Sequence, residues 1–151
     1  EAEVGEWHQP ETHLIPVMIE AAACKRDALT IYGTDYPTPD GTCVRDYVHV
    51  MDLVDAHIKG LEWLLEGKGT RVFNLGTGTG FSVKEVIAEC KAATGHHVPH
   101  SFGPRRAGDA AALVSGSRRA AEELGWSPER STLQHMIADA WRWYQTGGYS
   151  G

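Results

Sequence analysis

Apolar positions in the first third of the chain switch from a helical period to a short continuous run. Residues 14–22 carry apolar side chains three and four positions apart, which predicts a helix with Pro16 in its first turn, where a missing N–H costs little. Residues 29–32 predict a short strand that ends at Gly33. Residues 33–43 have no period and are rich in Gly, Pro, Asp and Thr, so they predict a loop long enough to carry function.

The middle of the chain repeats a strand-then-helix order twice. Residues 48–50 predict a brief strand, after which Asp52 is expected to cap a helix. Residues 71–75 predict the next strand, and Ser82 with Glu85 three positions on forms a capping box for the following helix. The apolar positions that share one face of the helix after Asp52 are Leu53, Val54, His57, Ile58, Leu61, Leu64 and Leu65. Strands that alternate with helices indicate an α/β fold.

The last third of the chain predicts one more strand and two helices. The strand is expected at 98–102, before a polar stretch with two adjacent arginines. A helix over 117–124 is expected to stop at Gly125, and another starts near Ser131. The inward positions of the last helix are Leu133, Met136, Ile137, Ala140, Trp141 and Tyr144. Because its aromatic residues keep helical spacing, core packing is preferred to base stacking.

Composition narrows the class of protein. A chain of 151 residues that is 42% hydrophobic can support one core. The net charge of -6 argues against a nucleic acid or an anionic membrane as partner, and no run of roughly 18 apolar residues is available to span a bilayer. The three cysteines are odd in number and outside any metal-ligand spacing, which is typical of a reducing compartment. We therefore expect a cytoplasmic protein.

Two further motifs have competing interpretations. His96, His97 and His100 cluster without a Cys, Asp or Glu beside them, so no physiological metal site is expected. The glycine-rich segment 76–80 follows a predicted strand and opens a helix, as a dinucleotide-binding or S-adenosylmethionine-binding loop would. Its sixth position is Phe81 rather than glycine and no carboxylate ends the next strand, which favours a structural turn.

Two arginine-containing segments carry the strongest candidate chemistry. Arg45 lies just after a glycine turn and before an apolar run, and Arg105 with Arg106 precedes Gly108 and Asp109. A guanidinium donates two parallel hydrogen bonds to phosphate oxygens and stays charged at physiological pH. Together with a carboxylate, these arginines indicate a site for a phosphorylated ligand rich in hydroxyl groups.

These segments and their surroundings resemble UDP-glucose 4-epimerases, which are extended short-chain dehydrogenase/reductases. The resemblance runs in order through nearly the whole chain and corresponds to the carboxyl-terminal half of that family. The matching segments lie at 11–16, 32–42, 44–53, 73–78, 105–109 and 123–126.

The resemblance implies a fold and a division of labour. It implies an α/β chain made of the substrate-binding domain plus peripheral strand-helix elements of an incomplete Rossmann sheet, with residues 1–151 as the carboxyl-terminal nucleotide-sugar-binding region and the amino-terminal NAD-binding Rossmann domain absent. No tyrosine is followed by lysine at the fourth position, whereas the family uses a Tyr-x-x-x-Lys pair for hydride transfer. We therefore expect NAD in the full-length enzyme, no cofactor and no catalytic residue in this chain, and no turnover by the chain alone.

The resemblance also assigns the phosphate and ribose contacts of a UDP-sugar. Arg45 and Arg106 match arginines that clamp the pyrophosphate, and Asp109 matches a carboxylate that accepts hydrogen bonds from the ribose hydroxyls. Leu14 matches a backbone contact to phosphate. His13 stands where many members of the family have Asn, so an imidazole would replace an amide donor there.

The base and sugar contacts follow from the same resemblance. Thr30 and Tyr32 match strand positions that meet uracil. Leu113 matches a residue of the sugar pocket whose bulk influences acceptance of N-acetylated sugars, and leucine leaves that choice open.

Three alternative functions remain open from the sequence. The chain could be a non-catalytic UDP-sugar-binding module, or half of a UDP-xylose/UDP-arabinose 4-epimerase, since related epimerases share these motifs. A S-adenosylmethionine-dependent methyltransferase is a remote third. The full-length enzyme is expected to be a homodimer, and the isolated chain is expected to self-associate through apolar faces and unpaired strand edges.

Overall fold

Helices and short strands alternate along the chain in the computed structural model, which describes residues 5–6 and 8–148. The helices are α1 (Leu14–Ala22), α2 (Val50–Leu65), α3 (Val83–Thr94), α4 (Arg118–Leu124) and α5 (Leu133–Trp143), followed by a π-helical turn at Tyr144–Gly148. The strands are β1 (Leu29–Tyr32), β2 (Val44–Asp46), β3 (Gly80–Ser82), β4 (His100–Gly103) and β5 (Ala112–Leu113).

The strands form two small sheets in the described part of the chain. One contains β1 and β4 in parallel, with Tyr32 opposite Gly103. The other has the order β3-β2-β5, in which β3 is antiparallel and β5 parallel to β2. Arg45 lies opposite Leu113 in this sheet, so two residues 68 positions apart become neighbours.

The main core lies between α1, α3, α5 and the first sheet. Its fully or almost fully buried members are Met18, Ile19, Ala21, Ile31, Val86, Cys90, Val98 and Ile137. A smaller cluster of Ala56, Ala120 and Trp126 joins α2 to α4, with Phe73 and Leu75 packed against it. Most of the buried apolar side chains belong to the main core, and the smaller cluster contains no buried Leu, Ile or Val among the described residues.

Several sequence predictions are confirmed at the level of single elements. Helix α1 and strand β1 have the predicted bounds, and α4 ends before Gly125 as expected. The capping box is present: the Ser82 side chain accepts from the Glu85 N–H, and the Glu85 carboxylate accepts from the Ser82 N–H at 2.7 Å. Local hydrogen bonds of this kind depend only on near neighbours in sequence, which is why they are readable.

The predicted strand at residues 48–50 is wrong. The strand lies earlier, at Val44–Asp46, and Val50 is already the first residue of α2. The N-cap is His49 and not Asp52, because the His49 Nδ1 accepts a hydrogen bond from the Met51 N–H at 3.0 Å. The buried Asp52 instead accepts hydrogen bonds from the Arg130 N–H and the Ser131 hydroxyl, which tie α2 to the carboxyl-terminal segment.

The predicted strand at residues 71–75 is also not formed. Phe73 and Leu75 point towards the small cluster while Val72 is 72% exposed, so the side chains alternate as in a strand. No described segment pairs with this backbone, and a strand needs a hydrogen-bonded neighbour. The predicted strand at 98–102 is confirmed with a shift, since β4 begins at His100.

Helix α2 leaves most of its apolar face uncovered. The apolar face predicted from helical spacing includes Ile58, Leu61 and Leu65, which are 52%, 57% and 78% exposed. A hollow of about 570 Å³ lies between this helix and residues 70–75, lined by Ala56, Leu61, Leu64 and Phe73 among others. Helix α2 is thus amphipathic in sequence, but most of its apolar face is exposed.

Candidate functional site

A short turn from Arg106 to Asp109 organises the candidate site. The Asp109 N–H donates to the Arg106 carbonyl at 3.3 Å, and Gly108 has a φ of +86°, which favours glycine. The turn leaves β4 at one end and leads to β5 at the other. Arg106 and Asp109 therefore lie in the segment that connects the two sheets.

At one end of the turn, Asp109 faces Arg45. The Arg45 Nη1 donates to the carbonyls of Val44 at 2.8 Å and Ala110 at 2.9 Å, and its Nη2 lies 3.8 Å from the Asp109 Oδ1. Both side chains are partly exposed, at 25% and 34%. The guanidinium is thus held by backbone carbonyls on one nitrogen, with the rest of its fork beside the carboxylate.

At the other end of the turn, Arg106 stacks on Tyr32. Its Cζ lies 3.8 Å from the centre of the Tyr32 ring, which is within the range of a cation–π contact. Thr30, on the same exposed face of β1, has its hydroxyl 3.5 Å from that of Ser101 on β4. The structure therefore places three predicted residues, Thr30, Tyr32 and Arg106, on one surface.

Leu113 lines a groove that begins at Arg45. The groove has a volume of about 460 Å³ and also includes Asp46, Asn74 and Ser115. Leu113 is 57% exposed and lies beside Arg45 through the β2-β5 pairing. The leucine thus presents an apolar surface beside a charged one.

His13 and Leu14 are placed at the start of α1. The His13 Nδ1 donates to the Glu11 carboxylate at 2.9 Å, and the Leu14 side chain packs against the main core. Burial alone would raise the pKa of Glu11, but hydrogen bonds from the backbone and ring of His13 and from the Thr12 N–H lower it below its ordinary value. No hydrogen bond or ion pair of the described residues joins His13 or Leu14 to the arginines.

The glycine-rich loop at 76–80 binds a carboxylate of the protein itself. Asp46 accepts hydrogen bonds from the N–H groups of Thr77 at 3.1 Å, Gly78 at 3.2 Å and Ser115 at 3.1 Å, and from the Thr77 hydroxyl at 2.6 Å. These are the donors that a phosphate- or cofactor-binding loop would turn towards its ligand. The structural turn is therefore favoured over the dinucleotide and S-adenosylmethionine interpretations of this segment.

Sequence reasoning overlooked three residues around the site. Asp46 lies within the matching segment 44–53, and its carboxylate holds the glycine-rich loop. Asp35 and Tyr36 lie in the predicted loop at 33–43, and both contact Arg105. Opposite charges predict that acidic residues will pair with arginines, but the sequence does not show which acidic residue pairs with which arginine.

The described residues contain no group of three or more His, Cys, Asp or Glu side chains that could hold a metal ion. His100 donates its Nδ1 hydrogen to the Val98 carbonyl at 2.8 Å, so one ring nitrogen of the histidine cluster is already used. None of the helices in the described ranges has both the length and the apolar character needed to cross a membrane.

The chain belongs to the protein family described as GDP-mannose 4,6 dehydratase, which matches residues 5–140. It is 47% identical over 149 residues to the UDP-glucose 4-epimerase of Halalkalibacterium halodurans, covering 97% of this chain. The structure of UDP-glucose 4-epimerase from Brucella ovis in complex with NAD has a TM-score of 0.90 at 48% identity and covers 93% of this chain.

A further epimerase structure was solved with a nucleotide sugar. It is UDP-glucose-4-epimerase from Stenotrophomonas maltophila with bound NAD and formylated UDP-arabinopyranose, with a TM-score of 0.91 at 39% identity, covering 97% of this chain. The chain spans 45%, 43% and 44% of these three relatives, in the order given. The resemblance to UDP-glucose 4-epimerases and the α/β fold are thereby confirmed.

Proposed function

We propose that this chain is the nucleotide-sugar-binding region of a UDP-glucose 4-epimerase, corresponding to its carboxyl-terminal half. The turn from Arg106 to Asp109 is the observation that carries the proposal. It brings together Arg106, Tyr32, Asp109 and Arg45, which come from three separate segments of the chain. A binding surface with two guanidiniums, an exposed aromatic ring and a carboxylate fits a nucleoside diphosphate sugar.

Each residue of the proposed site has a distinct role. Arg45 and Arg106 neutralise the pyrophosphate, for which a planar fork is better suited than a lysine. Asp109 accepts hydrogen bonds from ribose hydroxyls, which releases its weak contact with Arg45. Tyr32 provides an aromatic face for the uracil base, with Thr30 beside it on the strand.

The remaining proposed contacts flank this central group. Leu113, in the groove next to Arg45, lies against the sugar and limits its bulk. His13 and Leu14 contribute at the phosphate edge from the start of α1, where the helix presents N–H groups that are not bonded within the helix.

In the full-length enzyme, NAD would supply the redox chemistry at the sugar C4. The glycine loop of this chain does not fit a dinucleotide, because its N–H groups are bonded to Asp46. Tyr47 is unsuited to proton transfer near neutral pH, since burial and the neighbouring Cys43 raise its pKa to about 12. We therefore propose that the chain anchors the UDP group while NAD and the catalytic residues are supplied by an amino-terminal domain.

Several properties of the full-length enzyme remain part of the proposal. We propose that it interconverts UDP-glucose and UDP-galactose, works as a homodimer and is cytoplasmic. The uncovered face of α2 supports a larger assembly, because exposed apolar faces of this kind mark surfaces that are covered by other protein.

Isothermal titration calorimetry with UDP tests the proposed site. We expect saturable binding to this chain, weakened about tenfold or more by Arg45→Ala and by Arg106→Ala, because each variant removes charge-assisted hydrogen bonds. The matched control is Arg118→Ala on α4, which removes one arginine whose side chain is 90% exposed. It should leave the affinity unchanged.

Two results would contradict the proposal. Equal weakening by all three variants would show that UDP responds only to net positive charge. Absence of UDP binding both to the folded chain and to the chain combined with the amino-terminal half of a relative would show that the arginine cluster is not a nucleotide site.

A further inference from the structure

Arg105, the neighbour of Arg106, is held by a residue of the long loop. Its Nε donates to the Asp35 Oδ1 at 2.7 Å, and its Nη2 donates to the Asp35 backbone carbonyl. Two donors of one guanidinium therefore bind two oxygens of one residue. Such two-point contacts restrict the orientation of an arginine more than a single ion pair does.

The same guanidinium lies against an aromatic ring. The Arg105 Cζ is 4.3 Å from the centre of the Tyr36 ring, and Tyr36 is only 5% exposed. Gly33 makes this approach possible, because a Cβ there would overlap the Tyr36 ring and lie 2.8 Å from the Arg105 Cγ. Two adjacent arginines thus stack on two tyrosines, Arg105 on Tyr36 of the loop and Arg106 on Tyr32 at the end of β1.

The loop that carries Asp35 and Tyr36 is itself anchored. The Tyr36 N–H donates to the Gly41 carbonyl at 3.0 Å, which closes the loop. Within this loop, the Asp40 carboxylate accepts hydrogen bonds from Thr42 and from Ser82 at the start of α3. Burial alone would raise the pKa of Asp40, but these hydrogen bonds lower it, so the carboxylate is charged at neutral pH.

We propose that Arg105 is a positioning residue, which with Asp35 and Tyr36 fixes the arginine turn so that Arg106 is presented over Tyr32 to the phosphates of the ligand. The inference rests on the proposed function only in assigning phosphates to Arg106. Ser82 at the start of α3 binds Asp40 of the loop, and Asp35 and Tyr36 of the same loop hold Arg105. Arg106 follows Arg105 directly in the chain, so a fixed Arg105 also restricts Arg106.

The strength of a single exposed ion pair would not justify this inference, since such pairs contribute little. The Asp35 side chain is 74% exposed and that of Arg105 is 42% exposed. Arg105 is held instead by the combination of a two-point contact, a stacked ring and a glycine that admits both. These features limit the conformations of the turn before any ligand arrives, and preorganisation of this kind improves affinity.

The charge of Asp35 separates positioning from direct binding. If Arg105 itself bound phosphate, Asp35→Asn would strengthen UDP binding, because the variant removes a negative charge and frees the guanidinium. A positioning role predicts the opposite sign. We expect Asp35→Asn, Arg105→Lys and Tyr36→Leu each to weaken UDP binding by about three- to fivefold, as expected for loss of one cation–π or ion-pair restraint.

One charge-conserving variant and one matched control sharpen the comparison. Arg105→Lys keeps the charge and removes only the planar fork, so weakening cannot be ascribed to net charge. Glu122→Gln is the matched control for Asp35→Asn, because it removes one negative charge from an exposed ion pair with Arg118 on α4, and it should leave UDP affinity unchanged. The double variant Asp35→Asn with Arg105→Lys should be no weaker than either single variant, since both break one contact.

A second measurement follows Arg106 without any ligand. The Nε–H resonance of Arg106, assigned through Arg106→Lys, should be shifted upfield by the Tyr32 ring in the folded chain. Asp35→Asn, Arg105→Lys and Tyr36→Leu should move it towards the value of a free arginine, whereas Glu122→Gln should not.

The two measurements separate failure of this inference from failure of the proposed function. If Arg106 responds to Asp35→Asn but wild-type chain never binds UDP, the positioning role stands and the nucleotide site falls. If UDP binds through Arg106 while Asp35→Asn leaves the resonance unchanged and does not weaken affinity, the positioning role is overturned and the nucleotide site stands.

Discussion

Two regions of this molecule have similar amphipathic helices but very different surroundings. The helical lobe, made of α1, α3, α5, β1 and β4, encloses Met18 and Ile137 at 0% exposure. The flank, made of α2, α4 and residues 69–76, leaves Ile58 at 52% and Leu61 at 57%. The sequence pattern is the same, so the difference lies in which elements are present to cover the face. An amphipathic pattern therefore predicts that a helix face will be covered, but it does not predict which elements cover it.

The flank is nevertheless ordered by specific contacts. Its helix α2 is tied to the carboxyl-terminal segment through Asp52, whose carbonyl also accepts from the Trp126 Nε1 at 2.8 Å. The Arg71 guanidinium binds the Glu123 carboxylate with two hydrogen bonds of 3.0 and 2.8 Å. The uncovered face thus belongs to a helix whose position is set from its other side.

The largest expected effect distinguishes the two regions by one chemical change. Ile137→Ala in α5 should lower the free energy of unfolding by about 2–5 kcal/mol, because it opens a cavity in the helical lobe. Ile58→Ala in α2 is the matched variant and should change it by about 0.5 kcal/mol or less, since the side chain is already half exposed. Urea unfolding at low protein concentration measures both. Equal losses would mean that the face of α2 is covered in solution.

A smaller effect is expected at the glycine-rich loop, which links residue 76 of the flank to β3 and then to α3 of the helical lobe. Asp46→Ala removes the carboxylate that binds Thr77, Gly78 and Ser115, and should cost about 2–3 kcal/mol because several donors to a charged group lose their acceptor. Amide hydrogen exchange at Thr77 and Gly78 should become faster. Asp46→Asn retains one acceptor oxygen, so its free energy of unfolding should fall between those of the wild type and Asp46→Ala. Unchanged exchange in Asp46→Ala would show that the loop does not depend on this carboxylate.

The smallest effect on stability is expected from a charge placed on the uncovered face. Leu61→Lys should change the free energy of unfolding by about 0.5 kcal/mol or less but reduce self-association, because it interrupts the apolar surface of α2. Sedimentation velocity over a range of concentrations measures the change. Gln134→Lys adds the same charge at an exposed position of α5 and should not alter association. A wild-type chain that stays monomeric at every concentration would refute the expected self-association.

The elements that the sequence predicted well are those defined by local interactions. The capping box at Ser82, the bounds of α1 and the stop at Gly125 depend on residues a few positions apart. The failures depend on distant partners. Strands β3 and β5 have three and two residues and exist only through pairing with β2, and residues 71–75 alternate correctly but have no neighbour among the described segments.

The candidate site follows the same division. Arg45, Arg106 and Asp109 could be singled out from motifs, and the structure brings them together around one turn. The partners that hold them could not, because Tyr36 and Asp35 meet Arg105 only after 70 residues of chain have folded back. The role of Asp46 is hidden for the same reason, since its donors lie 31, 32 and 69 positions away.

The parallel pairing of β1 with β4 has a consequence for the order of folding. Thr30 and Ser101 are 71 positions apart, and closing so long a loop costs chain entropy before the new contacts compensate for it. During synthesis β1 remains without this neighbour until His100–Gly103 has been made. The surface that carries Tyr32 and Arg106 is therefore expected to mature late, after helices such as α3 have had time to form.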